Sequence, residues 1–539
     1  MRSENLPVAN AVPDSRGLNL YEADPDFDSL LSIYLPRDLY AHLRPRLRRL
    51  GALAGSALDE LAATADRNPP VLHYRTRGGE DRQAIEKHPA YRRLEEVAFS
   101  EFGLAAMSHR PGVLGWPKPM PPAAKYALSY LFVQAEFGVC CPLSMTDALA
   151  RTLSKHGDPA LVAQHLPGLV SQDMDELTQG AMFMTEQGAG SDVGATATRA
   201  VKEGDAWRLY GDKWFCSNPD AGLALVLARP DGAAAGTKGL SLFLLPKDIS
   251  GKRNSYRIIR LKEKLGTRGM ASGEIRLEGA LAYLVGDPAR GFVQMADMIN
   301  LSRLSNGMRA AGLMRRALTE ALFVARNRIA FGKRLVELPL MKRQLLKIML
   351  SAECARSVLF YASKNLEEAD NGNDEARRRV RLLTPLLKFR ACRDARKATG
   401  DAMEVRGGCG YIEEWPDARL LRDAHLGSIW EGTSNIVALD VLRAIRKEGS
   451  LDVLLQNDAE VRKASAFAQT ASDAHARQAA TNLYYAVAAA ILKQEGEQLP
   501  RRKLLSELVR THKLETRDPY AALDDAKFEP LLDEQPVAA

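Results

Sequence analysis

The sequence predicts an α+β protein of several domains, with helical segments at both ends and a small β-barrel or sandwich between them. Three observations lead there. A chain of 539 residues is too long for one compact core. Between residues 181 and 285 the apolar residues fall into short, alternating or apolar runs bounded by Gly, Pro or Asp, the mark of strands. On either side they recur every three to four positions, the mark of helices packed face to face. The chain is therefore divided into a helical domain (1–180), a β-domain (181–290), a helical bundle (291–445) and a helical extension (446–539).

In chain order, a polar lead with Pro7 and Pro13 precedes amphipathic runs at 26–33 and 46–65. Pro45 is placed to start the second run, and Asn68-Pro69-Pro70 to stop it. Five prolines between 110 and 123 make that stretch a loop, and a long apolar helix is expected over 124–137. Strands are expected at 207–216, 223–228, 240–245, 256–261 and 274–277. Long helices follow at 308–328, 340–366 and 376–403, with another at 479–492 in the extension. No internal repeat is present.

The composition, 46% hydrophobic and 26% charged, is that of a globular chain. No apolar run with a cleavage site opens it, and the longest apolar run, near 485–492, is too short for a bilayer, so a cytoplasmic protein without a membrane partner is expected. Six cysteines without a CxxC spacing read as reduced, mostly buried thiols, and no metal site is expected. The net charge of +7 suggests a polyanionic partner. Its position matters more: residues 300–350 carry eleven Lys/Arg against two acids, whereas 447–539 carry twelve against fifteen. The excess belongs to the inner helices, and the tail is net acidic.

Four stretches carry the chemistry. Residues 404–436 hold a glycine turn (Gly407, Gly408, Gly410), then Glu414, Arg419 and Asp423, then Glu431 between Trp430 and Gly432, followed by Thr433 and Asn435. The glycines permit positive φ and close approach to a ligand. An acid between Trp430 and Gly432 is partly desolvated, which raises its pKa toward the range of a general base. Residues 184–192, Met-Thr-Glu-Gln-Gly-Ala-Gly-Ser-Asp, form a loop whose exposed N–H groups and hydroxyls suit a ring edge or a pyrophosphate. Residues 211–218, Gly-Asp-Lys-Trp-Phe-Cys-Ser-Asn, read as a half-buried strand. Residues 328–332, Arg-Ile-Ala-Phe-Gly, follow a long helix.

Taken together, and in this order and spacing, the four stretches resemble the signatures of the acyl-CoA dehydrogenases. The resemblance implies that order of domains, helices then β-barrel then helical bundle, and an FAD cofactor. Carried over residue by residue, it implies flavin contacts at Met184, Thr185, Gly190, Ser191, Phe215 and Ser217. It implies dinucleotide contacts at Arg328 and Phe331, across to a neighbouring subunit, and further cofactor contacts at Glu404, Gly407, Gly408, Thr433 and Asn435. Glu431 is the implied catalytic base, taking the α-proton of an acyl-CoA while the β-hydride passes to flavin N5 and a trans-enoyl thioester remains. Gly432 and Arg303 are the implied substrate contacts. Gln187, Phe215 and Ser217 replace the usual Pro, Trp and Thr, and residues 300–302 lack the acid usual before Arg303. A short or branched acyl-CoA and an acceptor such as an electron-transfer flavoprotein complete the expectation.

Over its whole length the chain resembles the AidB-like branch, linked to the response to DNA alkylation. The marks are Asn19-Leu20-Tyr21, Asn68-Pro69-Pro70, the 141–146 run Cys-Pro-Leu-Ser-Met-Thr and about 90 residues beyond the core. That branch implies a homotetramer, and as an alternative function a duplex-DNA-associated flavoprotein with weak dehydrogenase activity. Arg501, Arg502 and Lys503 are the expected nucleic-acid contacts, although the tail around them is acidic.

Overall fold

The structure, a computed structural model, describes residues 12–24, 26–516 and 529–533. The lead with Pro7 and most of the polar end of the tail lie outside the described residues. The first part holds α1 (Phe27–Tyr34), α2 (Arg37–Ala54), α3 (Ala57–Arg67), a hairpin of β1 (Val71–Arg75) and β2 (Asp81–Glu86), α4 (Pro89–Glu96), α5 (Pro122–Phe132), α6 (Cys140–His156) and α7 (Pro159–Leu169). In α2, Leu39, Leu43, Leu47 and Leu50 recur one turn apart and are all buried.

The run at 46–65 is not one helix. Pro45 lies inside α2, which begins after Pro36, and the run is broken at Gly55. The N-terminal segment crosses there, Gly17 N donating to Gly55 O at 2.8 Å. A Cβ on Gly55 would stand 1.8 Å from Leu18 O, so only glycine admits the crossing. The helix expected over 124–137 stops at Phe132, because Glu136 turns back to accept the Gly138 and Val139 N–H groups ahead of α6. The β1–β2 hairpin was not foreseen; most of its residues are exposed or half-buried, so no hydrophobic period marks it.

The β-domain comprises β3 (Gly180–Phe183), β4 (Arg199–Glu203), β5 (Ala206–Ser217), β6 (Leu223–Pro230), β7 (Ser241–Pro246), β8 (Asp248–Ile249), β9 (Lys252–Arg253), β10 (Tyr256–Leu261) and β11 (Ser272–Leu284). Strands β11, β5, β4, β6 and β7 pair in sequence, and β7 pairs back to β11, closing a ring flanked by β10 and β3. Strands β6 and β7 sit between other layers and are buried almost throughout, which is why they read as continuous apolar runs.

The bundle follows: α8 (Gly291–Asn327), a short hairpin of β12 (Ile329–Ala330) and β13 (Lys333–Arg334), α9 (Pro339–Asp370), α10 (Asp374–Arg406), α11 (Pro416–Gly427) and α12 (Ser434–Glu448). The extension adds α13 (Ala459–Thr470), α14 (Ala476–Glu495), α15 (Pro500–Val509) and α16 (Glu529–Asp533). Helix α14 lies against α9, α10 and α12. Among the described residues no helix is long and apolar enough to cross a membrane. All six cysteines are free thiols, five of them buried.

Much of the basic charge of the inner helices is internal. Arg315 and Arg356 meet Asp24 from the N-terminal part. Arg316 meets Asp59 at 3.2 Å and Glu320 at 2.8 Å. Arg419, of the glycine-turn stretch, also reaches Asp59, at 2.6 Å, and Asp423 accepts the Thr267 N–H at 2.6 Å. These two residues tie the bundle to the N-terminal part and to the β-domain.

The expectation for Arg501 and Arg502 is corrected here. The Arg502 side chain is fully buried, with Nη1 2.8 Å from Glu353 Oε2. Arg501 Nη1 stands 2.5 Å from Asp26 Oδ2. Both clamp α15 onto α9 and the N-terminal part, so neither is open to a phosphate backbone; Lys503 is exposed. Their basic run faces inward because its acids come from distant segments. Burial alone would raise the Glu353 carboxyl, but Arg356, Arg502 and Arg501 hold it far below the ordinary carboxylate value.

Removing one partner of such a cluster leaves a buried charge uncompensated. Glu353→Ala is therefore expected to lower stability by about 3–5 kcal/mol in urea unfolding, whereas Arg257→Ala, which breaks the exposed pair with Glu278, should leave the midpoint nearly unmoved. The sign with pH follows. The stabilisation from a depressed carboxyl is complete above the unfolded value, about 4, and is lost as pH falls through the lower folded value. Thermal melts should accordingly decline below about pH 4 in the parent, and less steeply in Glu353→Ala.

Candidate active site

Glu431 sits in the turn between α11 and α12, and its backbone is left-handed, with φ 55°; Gly432 follows at φ 97°. A non-glycine residue there is strained, and such strain persists where the surroundings over-determine it. The surroundings are specific. Arg303 Nε, from α8, donates to the Glu431 backbone O at 3.0 Å, while its Nη1 is tied to Asp440 at 2.6 Å. Lys388 Nζ, from α10, donates to Gly432 O. Trp430 stacks on Phe137 with centroids 5.9 Å apart, and the Arg309 guanidinium lies 4.7 Å from the Trp430 ring centre.

The carboxyl group is out of water. Glu431 Oε2 is buried and has no hydrogen-bond partner, and no ion pair holds it among the described residues. Burial raises its pKa; the Ser302 hydroxyl, Arg303, Lys388 and Arg309 work against the rise. Burial likewise pushes Lys388 down to about 8.

The loop after β3 and the end of β5 carry the expected flavin contacts. Trp214 N donates to Thr185 O at 2.8 Å, joining the loop to the strand. Glu186 fixes the loop from inside, bonding Lys213 Nζ, Ala197 N and both Thr198 donors. Met184, Thr185 and Ser217 are half-buried, Gly190 and Ser191 are exposed, and the Phe215 ring is 55% exposed. Burial raises the pKa of the Cys141 thiol of α6, the Glu431 carboxyl adds to the rise and the Ser217 hydroxyl opposes it, so both groups lie near that thiol.

A second cluster forms on the bundle surface. Arg328 Nη1 donates to Arg406 O at 3.1 Å, beside the turn of Gly407 and Gly408. Gln344 Nε2 bonds Asp401 O at 2.7 Å and Glu404 Oε2 at 3.3 Å. Phe331, at φ 55°, is 92% exposed. Among the described residues no hydrogen bond or ion pair joins this cluster to Glu431. Thr433 and Asn435, at the start of α12, are exposed.

Several residues of the site were not singled out from sequence. Ser302, Asn306 and Arg309 are buried polar residues on one face of α8, and Lys388, Cys141 and Phe137 complete the surroundings. The available signal was the spacing 302, 306, 309, polar at helical period, but α8 carries other polar residues such as Arg303, Ser305, Arg315 and Arg316 that mask it.

The chain is similar to known proteins over most of its length. Acyl-CoA dehydrogenase family member 11 of Caenorhabditis elegans is 34% identical over 449 residues, spanning 81% of this chain and 72% of its own length. The putative acyl-CoA dehydrogenase AidB of Escherichia coli is 34% identical over 432 residues, 77% of either chain. This chain belongs to the acyl-CoA dehydrogenase family. Models for the acyl-CoA dehydrogenase middle and C-terminal domains match residues 181–280 and 289–446. The AidB N-terminal domain model matches 10–176, placing this acyl-CoA dehydrogenase in the AidB-like branch. The structure of Caenorhabditis elegans ACDH-11 in complex with C11-CoA gives a TM-score of 0.84 at 28% identity, covering 96% of this chain and 94% of that one.

Acyl-CoA dehydrogenases carry FAD, and the residues here fit it. A Cβ at Gly188, Gly190 or Gly408 would meet no protein atom within 4 Å, so backbone N–H groups are open to a ligand. Hydroxyls at Ser191 and Ser217 and the exposed Phe215 ring supply the donors and the flat surface that a dinucleotide needs.

The glycines of the 407–410 turn separate by experiment. A Cβ on Gly410 would stand 2.3 Å from Met403 O, so Gly410→Ala is expected to cost about 1–3 kcal/mol in thermal unfolding. Gly408→Ala should stay within about 0.5 kcal/mol of the parent apoprotein yet lower FAD retention on gel filtration.

Proposed function

We propose that Glu431 is the base of an FAD-dependent α,β-dehydrogenation of a short or branched acyl-CoA. The observation that carries this is a carboxyl oxygen buried, unpaired and held by a left-handed backbone, near the Cys141 thiol that Ser217 at the end of β5 also approaches. FAD bound at that loop supplies the hydride acceptor. The protein does the rest. Glu431 Oε2 removes the α-proton. The Glu431 N–H polarises the thioester carbonyl, and Arg303 and Lys388 fix the next two carbonyls along the chain, those of Glu431 and Gly432, so the turn does not relax during the reaction. An acceptor such as an electron-transfer flavoprotein is expected to reoxidise the flavin.

The same family layout supports an oligomer, as a tetramer, through the second cluster. Phe331, Ile329, Leu340 and Tyr411 expose large apolar surface around Arg328 and Gly407, where a neighbouring subunit would complete the dinucleotide site. Phe331→Asp should shift the mass by light scattering to a smaller species and release FAD.

A second reading, association with duplex DNA in an alkylation response, is favoured by one feature. Arg393, Arg396 and Arg477 crowd together beside α12 with no carboxylate in ion-pair contact among the described residues, and burial together with Arg477, Arg390 and Arg396 lowers the Arg393 pKa. A salt-dependent duplex shift that survives Glu431→Gln and disappears in the Arg393/Arg396/Arg477→Ala variant supports it.

For the dehydrogenase, Glu431→Gln is expected to lower the rate of flavin bleaching by a panel of acyl-CoAs by at least about 10²-fold. In the parent the rate should rise with pH through a pKa above that of an ordinary glutamate, since the working form is deprotonated. Lys388→Met removes a cation and should move that rise to higher pH. Equal bleaching by parent and Glu431→Gln rules the assignment out.

A further inference from the structure

Among the described residues six arginines are completely buried: 309, 315, 316, 356, 406 and 502. Five of them meet a carboxylate directly. Arg309 does not. Among the described residues no acid lies within ion-pair distance of it; Nε reaches Ser305 O at 3.3 Å, Nη2 reaches Ser144 Oγ at 3.2 Å, and Nη1 is buried without any partner. Stacking on Trp430 and Phe137 compensates only part of the lost hydration of a guanidinium.

It is not the only unpartnered group there. Ser302, Asn306 and Arg309 stand at i, i+4 and i+7 of α8 and so share one face, and each is 1% exposed. Ser302 Oγ, both amide atoms of Asn306 and Arg309 Nη1 are all buried without a partner, as are Trp430 Nε1 and Glu431 Oε2 beside them. Buried polar groups are almost always hydrogen-bonded, so a row of them ending at the base marks a surface made for a polar ligand. An aliphatic chain would leave all of them unpaired.

We propose that the acyl chamber takes a short acyl group bearing a second carboxylate, with Arg309 as its counter-ion and Asn306 and Ser302 as further partners. This rests on Glu431 being the base, because that fixes where the acyl group lies. Beyond Ser144, a partner of Arg309, lies a small cavity with Ser305, Met308, Tyr126 and Lys125 among its walls. Lys125 in the same wall is already neutralised by Asp147, at 2.6 Å, so the uncompensated charge is that of Arg309. Arg309 therefore sets specificity in two ways: it blocks long aliphatic chains and it attracts an anion.

The test compares thioesters matched in carbon number on the FAD-loaded enzyme: butyryl- and valeryl-CoA against succinyl- and glutaryl-CoA. The carboxylated members should bleach the flavin with kcat/KM at least about tenfold above their neutral counterparts. Arg309→Met, which keeps the stacked volume, should abolish or invert that ratio, and Arg309→Lys should restore part of it. A ratio that favours neutral chains, or one that Arg309→Met leaves unmoved, overturns the proposal. Binding to the Glu431→Gln enzyme, measured by equilibrium dialysis, separates this from failure of the base assignment. Arg309-dependent preference for succinyl- or glutaryl-CoA there without turnover in the parent supports the chamber and sinks the dehydrogenase reading; no preference in either measurement sinks the chamber alone.

Discussion

The protein is held together by carboxylates that serve more than one arginine from different parts of the chain. Glu353 of α9 faces Arg356 of its own helix and Arg501 and Arg502 of α15. Asp24 joins Arg315 and Arg356, and Asp59 joins Arg316 and Arg419. Each acid lies in one segment and its partners in others, so the N-terminal part, the bundle and the extension cannot shift independently. Such clusters add less net stability than apolar packing would, because every charge has lost its water. What they supply is register. A guanidinium displaced by an ångström loses a directional bond, whereas a leucine loses little.

That register matters at Glu431, which is presented by a turn and not by a helix. Two carbonyls of the turn are pinned by cations from α8 and α10, and the preceding Trp430 packs on Phe137 and Arg309, which also lie against each other. The left-handed backbone is thus over-determined from both sides. The same environment sets the acid's proton affinity through opposed effects, burial raising it and three distant cations restraining it. None of the three is close enough to pair with the carboxylate, which leaves it free to accept a proton.

The sequence made the layered outline and the central chemistry legible, for different reasons. Strands β5, β6, β7 and β10 and helices α9 and α10 were readable because burial imposes a period. Strand β4, Arg-Ala-Val-Lys-Glu, and the β1–β2 hairpin have little buried surface and therefore no period to read. The resemblance supplied Glu431, Arg303 and the loop at 184–191, which local pattern alone would have left as turns. Arg501 and Arg502 show the opposite failure. A basic run on a helix looks the same whether it faces solvent or acids hundreds of residues away, and here Asp26 and Glu353 decide the matter. Arg309 was passed over for a related reason: its significance lies in a missing acid, which only the fold reveals.

The clamp on α15 has a bearing on how the polypeptide would come apart. Residues 449–458 connect α12 and α13, with Asp452 and Asn457 exposed between buried residues such as Leu451 and Leu454. Cleavage there would sever one covalent link while Arg502, Glu353 and Glu495, all shielded from ions in solution, continued to grip. The two fragments would co-purify through concentrated salt and separate only when acid discharged the carboxylates, so a nicked preparation would pass for an intact one until it was denatured.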